Sequence, residues 1–317
     1  MKSLTISVVS DSKDLRERLC RELGKKSPGE DDLNFYHAKS PELILTALEA
    51  ARFPEKVQSI LYSLAISDFV VIAVEKITPA IGEAIVATAL SGKKGLIFTS
   101  LQPEELFPLT KDTPLAHFPV FSETLPMRTA VLSFSPERSE GALKGIIDHS
   151  FDVKGVGAVA LGFVSRGTLK VHDKLSVFPS GKSLEVRSIQ MHDDDYSSAS
   201  AGDRFGISFK GVPADELSKG DVLSFPGKIQ VSKGFSARGT LSKFSKKALS
   251  GGETIHVSIG LQFVPAKIVS GSIEPGKEGS IDLAFEAPVA YDSDDTVYFV
   301  RMNEKLLRVV GAGKVSA

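Results

Sequence analysis

The chain changes its hydrophobic rhythm part-way along. Up to about residue 124, short apolar runs alternate with segments of helical period. Residues 4–9 (LTISVV) read as a short buried strand. Residues 13–23 place Leu15, Leu19, Cys20 and Leu23 on one helical face. Residues 33–38 (LNFYHA) are strand-like. Pro41 opens PELILTALEAA, which reads as a helix with Ser40 as its N-cap, and Pro54 opens a second helix, PEKVQSILYSLAIS. DFVVIAVE predicts a central strand, PAIGEAIVATAL a helix and GLIFTS another strand. This alternation implies a mostly parallel sheet with helices on its faces.

From about Met127 onward the pattern is one of many short strands, broken by the turn segments PSGK, AGD, SKGD and PGKEG. Such regular short strands predict antiparallel barrels. GVPADELSKGDVLSFPGK closes a first barrel, and Pro226-Gly227 reads as a linker. The expected division is an α/β domain over residues 1–124, a β-barrel over 125–226 and a second β-barrel over 227–317. No internal repeat or low-complexity tract interrupts it.

Composition narrows the function classes. The formal net charge is −1, so nothing global draws the chain to nucleic acid or membrane, and any RNA contact must come from a local patch. Cys20 is the single cysteine, which excludes an intrachain disulfide and a cysteine-based metal cluster and suits a reducing, cytoplasmic setting. The apolar run FVVIAV is far below the ~20 residues of a spanning helix. His172, His192 and His256 are scattered, so no metal-ligand spacing emerges. Gly155-x-Gly157 lies between strand patterns and reads as turn chemistry.

Three segments of the middle region carry a family resemblance. They are IDHSFDVKGVGAVALG (147–162), PSGKSLEVRSIQMHD (179–193), and AGDRFGISFKGV (201–212) followed by LSKGDVLS (217–224). Together they resemble the second domain of translational GTPases of the elongation factor Tu superfamily. PGKEGSIDLAFEAPVAY and FVRMNEKLLRVVGAGKV resemble the third domain of the same family. Within it, Asp148, His149 and Arg204 are similar to the pattern of the selenocysteine-specific elongation factors. The likeness thins in the first domain, where SILYSLAISDFVVIAVE is its best piece. The implied fold is a degenerate P-loop GTPase-like domain followed by two antiparallel β-barrels.

The resemblance would bring a GTP site, but its parts are missing. No glycine precedes Gly24, so the first strand is followed by VVSDSKDLRERL where the family carries a G-x-x-x-x-G-K-(S/T) loop. Lys13 and Asp14 are the remnants at the lysine and Ser/Thr places, and the plain reading of both is an exposed first helical turn. FPEK (53–56) stands where the second switch has D-x-P-G-H, and TSLQ (99–102) where guanine recognition has N-K-x-D. GTP and Mg²⁺ are therefore not expected as cofactors, nor is GTPase catalysis.

The resemblance also implies an aminoacyl or anion pocket at Asp148, His149 and Arg204. Its plain alternative is an ordinary ion pair between strands. Separately, residues 228–252 carry Lys228, Lys233, Arg238, Lys243, Lys246 and Lys247 without an acid before Glu253, with Phe235 and Phe244 interleaved. That block could follow an RNA backbone or be a solvated barrel face. The resulting expectation is an elongation-factor-like protein that binds tRNA or another RNA, with the ribosome as a further partner, without a nucleotide cycle. Its rivals are a protein-interaction subunit docking through the degenerate domain and an atypical GTP-binding elongation factor.

Overall fold

The structure, a computed structural model, describes residues 2–28 and 31–316. The first domain is built on a seven-stranded sheet. Its strands are β1 (Lys2–Val9), β2 (Lys25–Lys26), β3 (Leu33–Lys39), β4 (Leu43–Ala50), β5 (Phe69–Val74), β6 (Gly95–Thr99) and β7 (Val120–Phe121), ordered β2-β3-β4-β1-β5-β6-β7. Pairing is parallel from β4 through β7 and antiparallel at β3–β4 and β2–β3. The helices are α1 (Lys13–Leu23), α2 (Val57–Ile66), α3 (Pro79–Ser91), α4 (Pro103–Thr110) and α5 (Thr124–Ser133). As expected, α1 buries Leu15, Leu19, Cys20 and Leu23 on one side.

Two expectations fail here. PELILTALEAA is not a helix: its core is β4, and Ser40 caps a turn instead, its Oγ accepting from the Leu43 N–H. β4 lies between β1 and β3 and is buried along nearly its whole length. A short, continuously apolar run satisfies a buried strand and a buried helix equally, and here sheet pairing decides. The strand-rich region also starts later than expected. Residues 124–133 form α5, whose Met127 and Val131 pack with Leu15 and Leu19 of α1, and the next strand begins only at Lys144.

The remaining strands close two rings, each of six antiparallel strands. The first uses β8 (Lys144–Val153), β9 (Gly157–Arg166), β11 (Lys174–Phe178), β12 (Lys182–Met191), β15 (Arg204–Lys210) and β16 (Val222–Ser224), sealed by the β11–β12 pairing. Short strands β10 (Thr168–Lys170), β13 (Asp194–Tyr196) and β14 (Ser198–Ser200) decorate it. The second uses β17 (Gln230–Leu241), β19 (Thr254–Ile259), β20 (Gln262–Ile273), β21 (Glu278–Tyr291), β22 (Thr296–Val300) and β23 (Val309–Val315), with β18 (Leu249–Ser250) added at β20. Closure removes the open sheet edges that would otherwise invite aggregation. No helix among the described residues is long and apolar enough to cross a membrane.

The three domains form one body. Tyr298, Val300, Val309 and Ala312 of the third domain belong to the same buried cluster as Val57, Ile60 and Ile81 of the first. Leu33, Tyr62, Ile146 and Leu261 make a smaller cluster where all three domains meet.

Candidate functional site

The first barrel, which is the second domain, meets the first domain across a cleft of about 750 Å³. Lys25 and Lys26 of β2 stand on one side, and Val159, Leu161, Phe151 and Val156 of the β8–β9 hairpin line the other. The hairpin tip turns through Gly155 and Gly157, both at positive φ, which confirms their turn role. Phe151 and Val156 remain 43% and 51% exposed, unusual for apolar side chains next to a polar groove.

Of the three family-implied residues only Arg204 lines this cleft, and the three do not form one group. The pairing of β8 with β9 steps from Ile147↔Gly162 to His149↔Leu161, so Asp148 is the extra residue of a β-bulge. Gly162 permits this crossing: a Cβ there would meet the Ile146 carbonyl oxygen at 2.3 Å. Asp148, 2% exposed, accepts from Arg204 Nη2 at 3.2 Å. The Arg204 guanidinium lies 4.1 Å from the ring centre of Phe35, a first-domain residue, and 5.7 Å from that of Phe163. His149 turns elsewhere, its Nε2 3.8 Å from Asp31. The ion pair is therefore real, and Arg204 is in addition the cationic plug between two domains.

Two histidines complete the cleft. His37 of β3 and His192 meet edge to face at 4.6 Å, and His37 Nδ1 lies 3.2 Å from Thr46 Oγ1. His192 and Asp193 sit at φ 51° and 68° between β12 and β13, the two positive-φ positions of a tight type I′ hairpin. Burial first, then the charges of Arg204 and His192, pulls the His37 pKa down to about 3. Burial likewise lowers that of His192. Both rings are thus held neutral beside a permanent cation. The cleft offers lysines, an arginine, neutral imidazoles and an apolar wall, a fit for an anionic group with an apolar body. Phe35, His37 and the Lys25-Lys26 pair were not legible as site residues, because only the register of β2 and β3 against the barrel brings them here.

The place of a nucleotide loop is occupied by a tight turn. Only residues 10, 11 and 12 separate the end of β1 from the start of α1. Ser12 Oγ caps the helix at the Leu15 N–H, and Asp11 accepts from Thr78 Oγ1 at 2.5 Å. Arg16, 2% exposed, donates to the carbonyls of Ser10 and Ala51 at 2.5 and 3.2 Å and lies 3.7 Å from Glu49. Glu49 also accepts from Asn34 and Tyr36, at 2.9 and 3.0 Å. Lys13 and Asp14 are exposed on the first turn of α1. After β6, Thr99 Oγ1 donates to the Val74 carbonyl, and Gln102 opens α4 with Glu105 bonded back to its N–H.

The basic block is only partly free. Lys243 pairs with Asp112 of the first domain at 2.5 Å, Arg238 with Glu278 at 2.7 Å, and Lys247 lies 3.7 Å from Glu253. Lys228, Lys233 and Lys246 are exposed and make no ion pair among the described residues. Of the two phenylalanines, Phe235 packs inward on Phe285 and Tyr291, and Phe244 is 51% exposed. No group of three or more His, Cys, Asp or Glu suited to a metal ion occurs among the described residues.

An α/β sheet domain joined to two closed six-stranded barrels is the architecture of translation elongation factors. Residues 157–224 match the family described as elongation factor Tu domain 2. An uncharacterized protein of Methanocaldococcus jannaschii is 31% identical over 304 residues, covering 94% of this chain and 96% of that protein. The selenocysteine-specific elongation factor of the same organism is 34% identical over 191 residues, 55% of this chain and 41% of the relative. Elongation factor SelB from Methanococcus maripaludis, in complex with the GTP analogue GPPNHP, has the same fold: TM-score 0.85 at 21% identity, covering 100% of this chain and 79% of that one. The chain belongs to the elongation factor Tu superfamily, on the branch similar to the selenocysteine-specific elongation factors.

Proposed function

We propose that this protein is an elongation-factor-like pseudo-GTPase that has lost ordinary GTP binding and binds tRNA or another RNA through its barrels in the cytoplasm. The observation that carries the reading is the three-residue turn between β1 and α1. A phosphate-binding loop needs several successive backbone N–H groups curved around the anion, and three residues cannot form it. Asp11 adds a carboxylate where phosphate charge would lie. Neither Mg²⁺ nor GTP is a cofactor on this reading.

RNA binding is supported by the cleft around Arg204. A terminal nucleotide or its ester would place phosphate and ribose against Lys25 and Lys26 and an apolar group against Val159 and Leu161. Lys228, Lys233 and Lys246 offer further backbone contacts. Filter binding with charged and uncharged tRNA tests this. Binding should weaken about tenfold or more in a Lys25→Glu/Lys26→Glu variant, with a shallower salt slope. Unchanged binding in that variant, or none in the wild-type chain, contradicts it. A groove between the first and third domains, walled by Val86, Leu109, Phe244 and Leu306, favours a second reading, a protein-interaction subunit.

A further inference from the structure

Where Arg204 lines the cleft, the first and second domains are joined by groups that stay together only while two of them are neutral. His37 of β3 belongs to the first domain and His192 to the second, and their rings meet edge to face at 4.6 Å. Arg204 lines the cleft with both, its guanidinium against the ring of Phe35. One permanent cation and two imidazoles thus share the boundary. The contact also leaves polar atoms unmatched: Arg204 Nε and His192 Nε2 are buried without a hydrogen-bond partner among the described residues. Buried polar groups left in this way weaken the contact that holds them.

The surrounding charges decide what a proton does there. The first domain presents to His37 the Thr46 hydroxyl of β4, at 3.2 Å, and Lys25, which stands opposite it in β2. The second domain presents His192 and Arg204. None of these groups is a carboxylate. Around His192 stand Arg204 and Lys39 against Asp193 and Asp203. Asp203 already accepts from the Ser3 hydroxyl and the Ser200 N–H, and Lys39 is paired with Asp194. Burial and the two cations outweigh these carboxylates, so the His192 pKa is lowered, as burial and the same arginine lower that of His37. The closed contact is therefore at its most stable above about pH 6.5 and weakens as pH falls.

Flanking ion pairs tie the same boundary on either side, Lys219 to Asp31 and Lys39 to Asp194. Carboxylates of this kind titrate at about pH 4 or below, under the histidine range. Between roughly pH 6.5 and 4 the histidines gain protons while the flanking pairs hold. We propose that the His37–His192–Arg204 contact is an acid-operated gate: protonation drives Phe35 and His37 off Arg204 and frees the guanidinium toward the cleft, while the apolar boundary with the third domain stays closed. For each histidine the closed-to-open ratio falls by up to about tenfold per pH unit. The gate is a property of the boundary and does not depend on the RNA reading of the cleft.

Tryptophan fluorescence of the full chain tests it. The chain contains no tryptophan, so Phe35→Trp puts a single reporter on Arg204 and keeps the cation–π contact. A second chain, Tyr298→Trp, reports the boundary with the third domain. Both are checked against wild-type circular dichroism at neutral pH, and Phe163→Trp reads the other side of Arg204 should Phe35→Trp not fold. On acidification the Phe35→Trp emission should move reversibly to longer wavelength between about pH 6.5 and 4, with the Tyr298→Trp emission and the circular dichroism unchanged. Adding His37→Gln should lower the midpoint by at least about one pH unit, and adding His192→Gln as well should abolish the transition. Constant emission down to pH 4 overturns the proposal, as does a transition that survives the loss of both histidines. So does movement of both reporters together with the circular dichroism, which would make the event global unfolding.

Discussion

The first domain meets its two barrels in opposite ways. Against the third domain it shares an apolar core: Tyr298, Val300 and Val309 lie within the cluster formed by α2 and α3. Its polar contacts are the Lys243–Asp112 pair and a larger clasp in which Arg308 spans Glu83 and the Pro54 carbonyl, while the Arg308 and Val309 backbone N–H groups also reach Glu83. Against the second domain the contact is mostly polar. Arg204 lies on Phe35, His37 meets His192, Lys219 holds Asp31 at 2.6 Å, and Arg138 holds Asp68 at 2.5 Å. The first boundary resembles a core cut in two, and its apolar part is insensitive to salt and pH. The second is screened by salt and tuned by protonation. The charged ligand proposed for the cleft would call for a boundary of the second kind.

The sharpest way to break the contrast is Arg308→Ala. It leaves Glu83, 3% exposed, as an uncompensated buried carboxylate, with an expected loss of about 3–5 kcal/mol in denaturant unfolding. Glu83→Gln in the same background should recover part of that loss. If Arg308→Ala costs under about 1 kcal/mol, the clasp does not hold the domains.

Arg204→Ala comes next. Asp148 is left buried without its partner and Phe35 loses its cation, so about 2–3 kcal/mol should be lost, together with RNA affinity. Arg204→Lys, which keeps charge but not the planar stack, should restore little of either. Full rescue by lysine would reduce the site to simple charge.

The histidines give the pH dependence. Burial places the folded-state pKa of His37 below its unfolded value of 6.5, at about 3. The unfolded chain therefore binds more protons between those values. The neutral ring's contribution is fully present above pH 6.5 and is lost as pH falls toward 3, by at most about 1.4 kcal/mol per pH unit. Partial exposure of the ring brings the slope below that ceiling. His37→Asn should flatten the acid limb of a stability–pH curve between pH 4 and 6, and an unchanged limb would assign acid sensitivity to other groups.

The smallest effect is expected at Arg238→Ala. Its pair with Glu278 is surface-exposed, so the melting temperature should not move measurably. A clear loss of RNA binding in that variant would put the barrel face, rather than the cleft, at the centre of recognition.

How much of this was legible in the sequence depends on where the constraint lay. The barrels were readable because turns such as Gly155–Gly157 and the alternating strands state their own geometry. The α1 face was readable from the spacing of Leu15, Leu19 and Leu23. β4 was not: LILTALEA has good helix formers, and only the pairing of β3 and β1 on either side makes it a strand. α5 was hidden because its inward face rests on just Met127 and Val131. Within the site, the Asp148–Arg204 pairing matched one of the two readings held open, an ion pair, although Arg204 crosses β9 to reach its partner through a bulge. Phe35, His37 and the lysines of β2 come from another domain, so no local pattern could announce them.

The central claim is a translation-factor fold working without a nucleotide, and it is most directly tested by thermal unfolding of the intact chain with Mg²⁺ and GTP, GDP or ATP. A ligand bound at a hundred times its dissociation constant stabilises the folded state by about 2.7 kcal/mol, which a melting curve resolves easily. The account predicts superimposable curves with and without nucleotide. A saturable upward shift specific to GTP or GDP would contradict it, because a guanine nucleotide would then be held without the loop that the β1–α1 turn has no room to form.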